Sequence, residues 1–225
     1  METILVLGGT AEAVTKTQEL IGENTNHNII YSLAGRTTGQ PKLNCEIRIG
    51  GFGGIDGLIK FIAENNVTKI IDATHPYALQ ISKNARAASN KKNITYNSLL
   101  RAEWEKQDGD NWVNVSSTLE AAKTIPNMSR VFLALGKQYI DVFQTRTDCY
   151  FVIRMVDNPE VELGFKSHKL LTGRPSTSIE EEITLLRENE IQIIICRNSG
   201  GEQSYRKIIA ARELSIPVIM INRPD

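Results

Sequence analysis

The sequence predicts an α/β fold with mostly parallel sheets, and three observations carry that prediction. Short apolar runs recur at residues 4–7, 28–32, 68–72, 130–135 and 192–196. Their near-continuous apolar character suits strands covered on both faces. Most of them run into a glycine-bearing or polar loop and then a helix-compatible stretch. After a polar segment at residues 101–112, the second half repeats this rhythm without repeating the sequence.

The opening stretch, ILVLGGTAEA, organises the rest. Residues 4–7 read as a strand, Gly8, Gly9 and Thr10 as a turn, and residues 11–21 as a helix. Glycine lets the backbone approach a phosphate, and the free N–H groups of a helix N-terminus attract its charge. Thr10 is placed to cap the helix and to meet a phosphate oxygen. Ala11 and Glu12 follow in the first turn. The match to G-x-G-x-x-G is partial, because Ala11 and Ala13 stand where further glycines would.

NIIYS, residues 28–32, reads as the second strand and ends in Leu33, Ala34, Gly35 and Arg36. In a dinucleotide fold the end of this strand lies by the adenosine ribose, where an acid suits NAD and an arginine suits the extra phosphate of NADP. Ser32 and Arg36 lie 24 and 28 residues beyond Gly8, and no acid intervenes from Ile29 to Arg36. Arg36 therefore reads as a 2′-phosphate ligand. Residues 46–49 form a short alternating strand running into GGFGG, residues 50–54, with Gly51 placed for close backbone approach to a ligand.

TKIID, residues 68–72, is the next strand and ends in ATHPYA. Asp72, Thr74, His75 and Tyr77 thus gather where a parallel strand delivers its C-terminal end, the place where α/β sheets bind ligands. Pro76 is expected in the first turn of the following helix. His75 is a candidate proton donor or carboxylate partner. Residues 94–99 read as a strand, and residues 101–112 as the connection between halves, with Arg101 and Trp104 available to a ligand.

The second half has strands at residues 130–135, 149–156, 169–171, 192–196 and 216–221. Ser178 is placed to cap one helix. Lys137 follows the first of these strands. RNSGG follows QIIIC, and with a helix expected from residue 203 it reads as a backbone nest for carboxylate or phosphate, formed by Asn198, Ser199, Gly200 and Gly201. Lys207 sits one turn into that helix.

Composition narrows the function. The chain has 225 residues, 41% of them hydrophobic, and a formal charge of +0. That permits one large or two small domains and argues against a nucleic-acid or membrane-surface partner. No run approaches the ~20 apolar residues of a membrane span, and no signal peptide is read at the start. Cys45, Cys149 and Cys196 form no C-x-x-C and are expected as reduced thiols of a cytoplasmic protein. The three histidines are too scattered for a metal site, and none is expected. No G-x-S-x-G, H-E-x-x-H, Walker A or Tyr-x-x-x-Lys pattern occurs. Although the chain is neutral, Lys137, Arg154, Arg174, Arg197 and Lys207 gather toward strand ends, which implies an anionic ligand.

In order, GGTAEA, SLAGR, GGFGG, IDATHPYA, Arg101-x-x-Trp104, LALGKQ, RNSGG and AARELSIPVIMINRP resemble the precorrin-6A reductase family of cobalamin biosynthesis, over almost the whole chain. The resemblance implies two Rossmann-like domains, residues 1–100 for NADP and 101–225 for substrate, with an interdomain cleft. It implies an NADPH-dependent reductase that reduces precorrin-6A, or cobalt-precorrin-6A, to precorrin-6B. Carried over residue by residue, Gly8 to Glu12, Ser32 to Arg36, Gly51 and Thr74 would hold NADPH. His75 and Tyr77 would lie at the reacting centre. Arg101, Trp104, Lys137, Asn198 to Gly201 and Lys207 would hold the macrocycle. A monomer or homodimer is expected. The competing expectation is a non-catalytic NADP-binding regulator.

Overall fold

A computed structural model describes residues 2–23, 26–35 and 39–224. Arg36, read above as the 2′-phosphate ligand, lies outside them. The chain divides into two compact units between Arg101 and Ala102.

The first unit contains strands β1 (Thr3–Leu7), β2 (Asn28–Leu33), β3 (Glu46–Ile49), β4 (Lys69–Asp72) and β5 (Thr95–Ser98). They form one sheet in the order β3-β2-β1-β4-β5. Every pairing is parallel, with Leu7 opposite both Ser32 and Asp72. Helix α1 (Ala11–Gly22) covers one face, where Ala13 and Leu20 pack on Ile4, Val6, Ile29 and Tyr31. Helices α2 (Gly54–Glu64) and α3 (Leu79–Lys92) cover the other, where Leu58, Ile62, Ala85 and Ala88 pack on Leu5, Leu7, Ile30 and Ile70. The alternation along β1 thus feeds two cores, which is why its residues are all apolar or buried.

The second unit contains β6 (Trp112–Val115), α4 (Thr118–Thr124), β7 (Arg130–Ala134), β8 (Tyr150–Met155), β9 (His168–Thr172), α5 (Ile179–Glu188), β10 (Ile193–Arg197), α6 (Arg206–Glu213) and β11 (Val218–Ile221). Its sheet runs β6-β11-β10-β7-β8-β9, again with parallel pairings throughout. The last strand, β11, therefore stays in its own unit. Leu186 of α5 and Ile208, Ala210 and Ala211 of α6 bury one face, against Phe132, Val152, Ile194 and Met220. Ala121 and Ala122 of α4, with Phe143, bury the other against Leu133, Phe151, Ile195 and Ile219.

Two local expectations change. Residues 75–78 form a turn, closed by Ala78 N–H donating to the His75 carbonyl at 2.7 Å, so Pro76 precedes α3 and lies outside its first turn. α6 begins at Arg206, because residues 202–205 make a separate turn in which Tyr205 N–H donates to the Glu202 carbonyl at 3.0 Å. The three cysteines are free thiols. Among the described residues no helix is long and apolar enough to cross a membrane.

Candidate functional site

In open parallel sheets ligands bind beyond the carboxyl ends of the strands, where the winding reverses. Each sheet has one such point. In the first unit it lies between β1 and β4, in the second between β7 and β10.

At the first point the chain leaves β1 through Gly8 and Gly9. Gly8 N–H donates to the Ser32 carbonyl at 2.8 Å, and Gly9 N–H to the Tyr31 hydroxyl at 3.3 Å. Gly9 has φ 112°, with nothing within 4 Å of where a β-carbon would stand. Thr10 caps α1, its hydroxyl oxygen accepting from Ala13 N–H at 3.1 Å. The hydroxyl proton goes to the Ala73 carbonyl at 2.8 Å, so Thr10 locks the α1 terminus to the end of β4. That leaves the N–H groups of Ala11 and Glu12, at the open end of a helix of 12 residues, for an anion. The Glu12 carboxylate would oppose one. It pairs with Arg101 at 3.2 Å, which places Arg101 in the first unit at this same corner.

Beyond β4, the buried Asp72 carboxylate accepts from Thr74 N–H at 3.2 Å, the Thr74 hydroxyl at 2.7 Å and the Tyr96 hydroxyl at 2.7 Å. The Thr74 oxygen also meets the Ser82 hydroxyl at 3.3 Å. Thr74 is thus held by Asp72 and by α3. Burial, then Asp72, push the Tyr96 phenol up to about 12. His75 Nδ1 accepts from Tyr77 N–H at 3.3 Å, and the two rings lie 5.6 Å apart. An accepting Nδ1 assigns the hydrogen of neutral His75 to Nε2, which is then a donor. The Asp72–Tyr96 pair was not foreseen, since no local spacing connects two residues on adjacent strands.

At the ends of β2 and β3, Ser32 is buried, Leu33 half-buried, and Ala34 and Gly35 exposed. Arg48, which sequence reading passed over, reaches this edge from β3. Its guanidinium donates to the Gly50 carbonyl at 2.5 Å, the Gly51 carbonyl at 2.7 Å and the Ser32 hydroxyl at 3.5 Å. It also stacks 4.0 Å over the Phe52 ring.

At the second point, Lys137 is exposed on the short 3-10 turn after β7. Arg197, ending β10, lies 4.2 Å over the Tyr139 ring. The NSGG loop then turns through Gly200 and Gly201, at φ 66° and 79°, a region side-chain-bearing residues avoid. Asn198 faces inward. Its amide accepts from Trp104 N–H at 2.8 Å and donates to the Trp104 carbonyl at 2.9 Å. The Trp104 indole donates to the Gly201 carbonyl at 3.0 Å. Lys207 is only 5% exposed, with Nζ donating to the Ser204 carbonyl at 2.5 Å and lying 4.7 Å over the Trp104 ring. Burial pushes its ammonium pKa down. Asn198, Trp104 and Lys207 therefore brace the loop, while Ser199, Gly201, Arg197 and Lys137 form its more accessible side. A lysine near a helix start gives no sequence sign of such burial.

Two doubly wound parallel sheets, each with loops gathered at its winding reversal, define a Rossmann-like α/β protein. The family described as precorrin-6x reductase CbiJ/CobK matches residues 3–225. A precorrin-6A reductase of Rhodococcus erythropolis is 39% identical, covering 100% of this chain and 90% of that protein. One of Rhodobacter capsulatus is 37% identical, with 100% and 89% covered. A cobalt-precorrin-6A reductase of Priestia megaterium is 28% identical, with 98% and 90% covered. The solved structure of CobK precorrin-6A reductase superposes with a TM-score of 0.94 at 36% identity, covering 100% of this chain and 89% of that one. The chain belongs to the precorrin-6A reductase family, a class of oxidoreductase acting on a CH–CH bond.

Proposed function

We propose that this chain is an NADPH-dependent reductase that delivers a hydride to precorrin-6A, giving precorrin-6B. The observation that carries the reading is the corner at β1 and β4. There an open helix N-terminus, a glycine with room above it and an internally neutralised acid stand together. That corner fits a pyrophosphate: backbone N–H groups are available, and the Glu12 carboxylate at the helix start is matched by Arg101. Gly8 to Glu12 would hold the diphosphate, and Ser32 to Arg36 with Gly51 the adenosine side.

Bound NADPH supplies the hydride; the protein supplies position and charge. Asp72 fixes Thr74 and thereby the loop that carries His75 and Tyr77. His75 Nε2–H is the proton source we assign to the reduced ring. In the second unit, Lys137, Arg197 and the Ser199–Gly201 backbone take the acetate and propionate carboxylates, with Trp104, Asn198 and Lys207 behind them. Greater identity to the relatives named precorrin-6A reductase than to the cobalt-precorrin relative favours a metal-free macrocycle. Free thiols throughout suit a reducing compartment such as the cytoplasm.

The test is anaerobic incubation of purified protein with NADPH and precorrin-6A, following nicotinamide absorbance and the macrocycle spectrum. Oxidation of one equivalent with the appearance of the reduced macrocycle is expected. Cofactor binding without oxidation would instead identify an NADP-binding regulator.

A further inference from the structure

The Arg48 guanidinium differs from most of the half-buried arginines among the described residues. Arg101, Arg130, Arg146, Arg154, Arg212 and Arg223 each lie within 4 Å of a carboxylate. Arg48 has no carboxylate at that distance among the described residues, and its hydrogen-bond partners are neutral oxygens of Gly50, Gly51 and Ser32. Those bonds and the Phe52 ring fix the group without cancelling its charge. A guanidinium has five N–H donors. Here Nε–H and the second hydrogen of Nη2 have no protein acceptor among the described residues.

The location gives this charge a ligand. Arg48 is in register with Ser32, so it stands beside the last buried residue of β2, at the carboxyl edge of the sheet. In a fold wound this way, the end of the second strand faces the adenosine ribose of a dinucleotide. We infer that Arg48 reads the 2′-phosphate of NADPH, as a preformed cation that Gly50 and Gly51 hold aimed at the ribose. The inference rests on the NADPH reading above and makes Arg48 a specificity determinant for the adenosine half of the cofactor. It also explains a glycine-rich turn beside an arginine: the two carbonyls that hold the fork belong to residues without side chains to block the phosphate.

The test is calorimetric binding of adenosine 2′,5′-bisphosphate and of 5′-ADP to the full chain, to Arg48→Met and to Arg48→Lys. Methionine keeps an apolar stem on Phe52 and removes the charge; lysine keeps the charge and loses the fork. Wild type is expected to prefer the 2′-phosphorylated ligand. R48M is expected to lose that ligand's affinity by roughly ten- to a hundredfold, with 5′-ADP unchanged within about twofold. R48K should fall between, and it carries the test by the same selective loss if R48M does not fold. Equal loss for both ligands would make Arg48 a brace of the loop only and overturn the inference, as would no loss for either. A wild type that binds both ligands equally would defeat the NADPH reading itself, a separate outcome from the other two.

Discussion

The ring of Tyr31 lies directly behind Gly8: a β-carbon at residue 8 would fall 2.3 Å from the Tyr31 Cζ and 2.5 Å from its hydroxyl oxygen. Tyr31 is 1% exposed and cannot swing out, and the same hydroxyl accepts from Gly9 N–H. The glycine turn is therefore shaped from below by an aromatic ring on the neighbouring strand.

Gly8→Ala is expected to cost about 1–3 kcal/mol through overpacking, read from urea unfolding. The cost should shrink when Tyr31→Leu makes room, so a double-mutant cycle should show coupling above about 0.5 kcal/mol. An additive cycle would mean that the ring is not what excludes the alanine.

Tyr96 gives a pH dependence with a definite sign. Its phenol is pushed up from 10.0 to about 12, first by burial and then by Asp72. The folded protein therefore keeps a proton that the unfolded chain releases. This stabilisation is complete below the unfolded pKa and is lost as pH rises from about 10 to about 12. Comparing unfolding free energies of wild type and Tyr96→Phe across that window should show a shallower fall in the variant; parallel curves would contradict the assignment.

Arg154 and Glu182 form a buried pair, 9% and 1% exposed at their side chains, with Nη1 and Oε1 2.5 Å apart. Glu182 Oε1 also accepts from Ser176 N–H at 3.0 Å, which ties down the loop between β9 and α5. Arg154→Met alone should destabilise by about 3–5 kcal/mol, because it strands a buried carboxylate. Replacing Glu182 by Leu as well should recover much of that. Thermal or urea unfolding of the two variants decides the point.

Trp104→Phe removes the indole donor to Gly201 while keeping an aromatic ring near Lys207. Its expected effect is a severalfold higher KM for the macrocycle with KM for the nicotinamide cofactor unchanged, corresponding to about 1 kcal/mol for one neutral hydrogen bond. A rise in both KM values would show general loosening in place of a loop effect.

The framework was legible because buried parallel strands write themselves as apolar runs, and because caps are local. Thr10 and Ser178 each accept from an N–H three residues on, a spacing visible in any sequence. The site was legible only as far as position: loops after strands were found, but partners were not. Asp72 and Tyr96 are 24 residues apart and meet only because β4 and β5 pair. The contacts of Asn198 and Lys207 with the Trp104 backbone and ring were not legible, because nothing local announces Trp104 beside them. The start of α6 was misplaced because residues 202–205 offer no side-chain cap, and the Ser204 carbonyl accepts from Lys207. Arg48 escaped notice because an arginine within a short alternating strand resembles any solvent-facing position.

The seat of β11 has a consequence for biosynthesis. It is the only described strand that pairs with β6, and it joins β6 to β10. While the chain emerges from a ribosome, the first sheet has all its strands once Ser98 is out, whereas β6 waits unpaired until Val218–Ile221 follows more than a hundred residues later. The nascent second half thus carries an open strand edge through most of its translation, the condition under which chaperone engagement matters most.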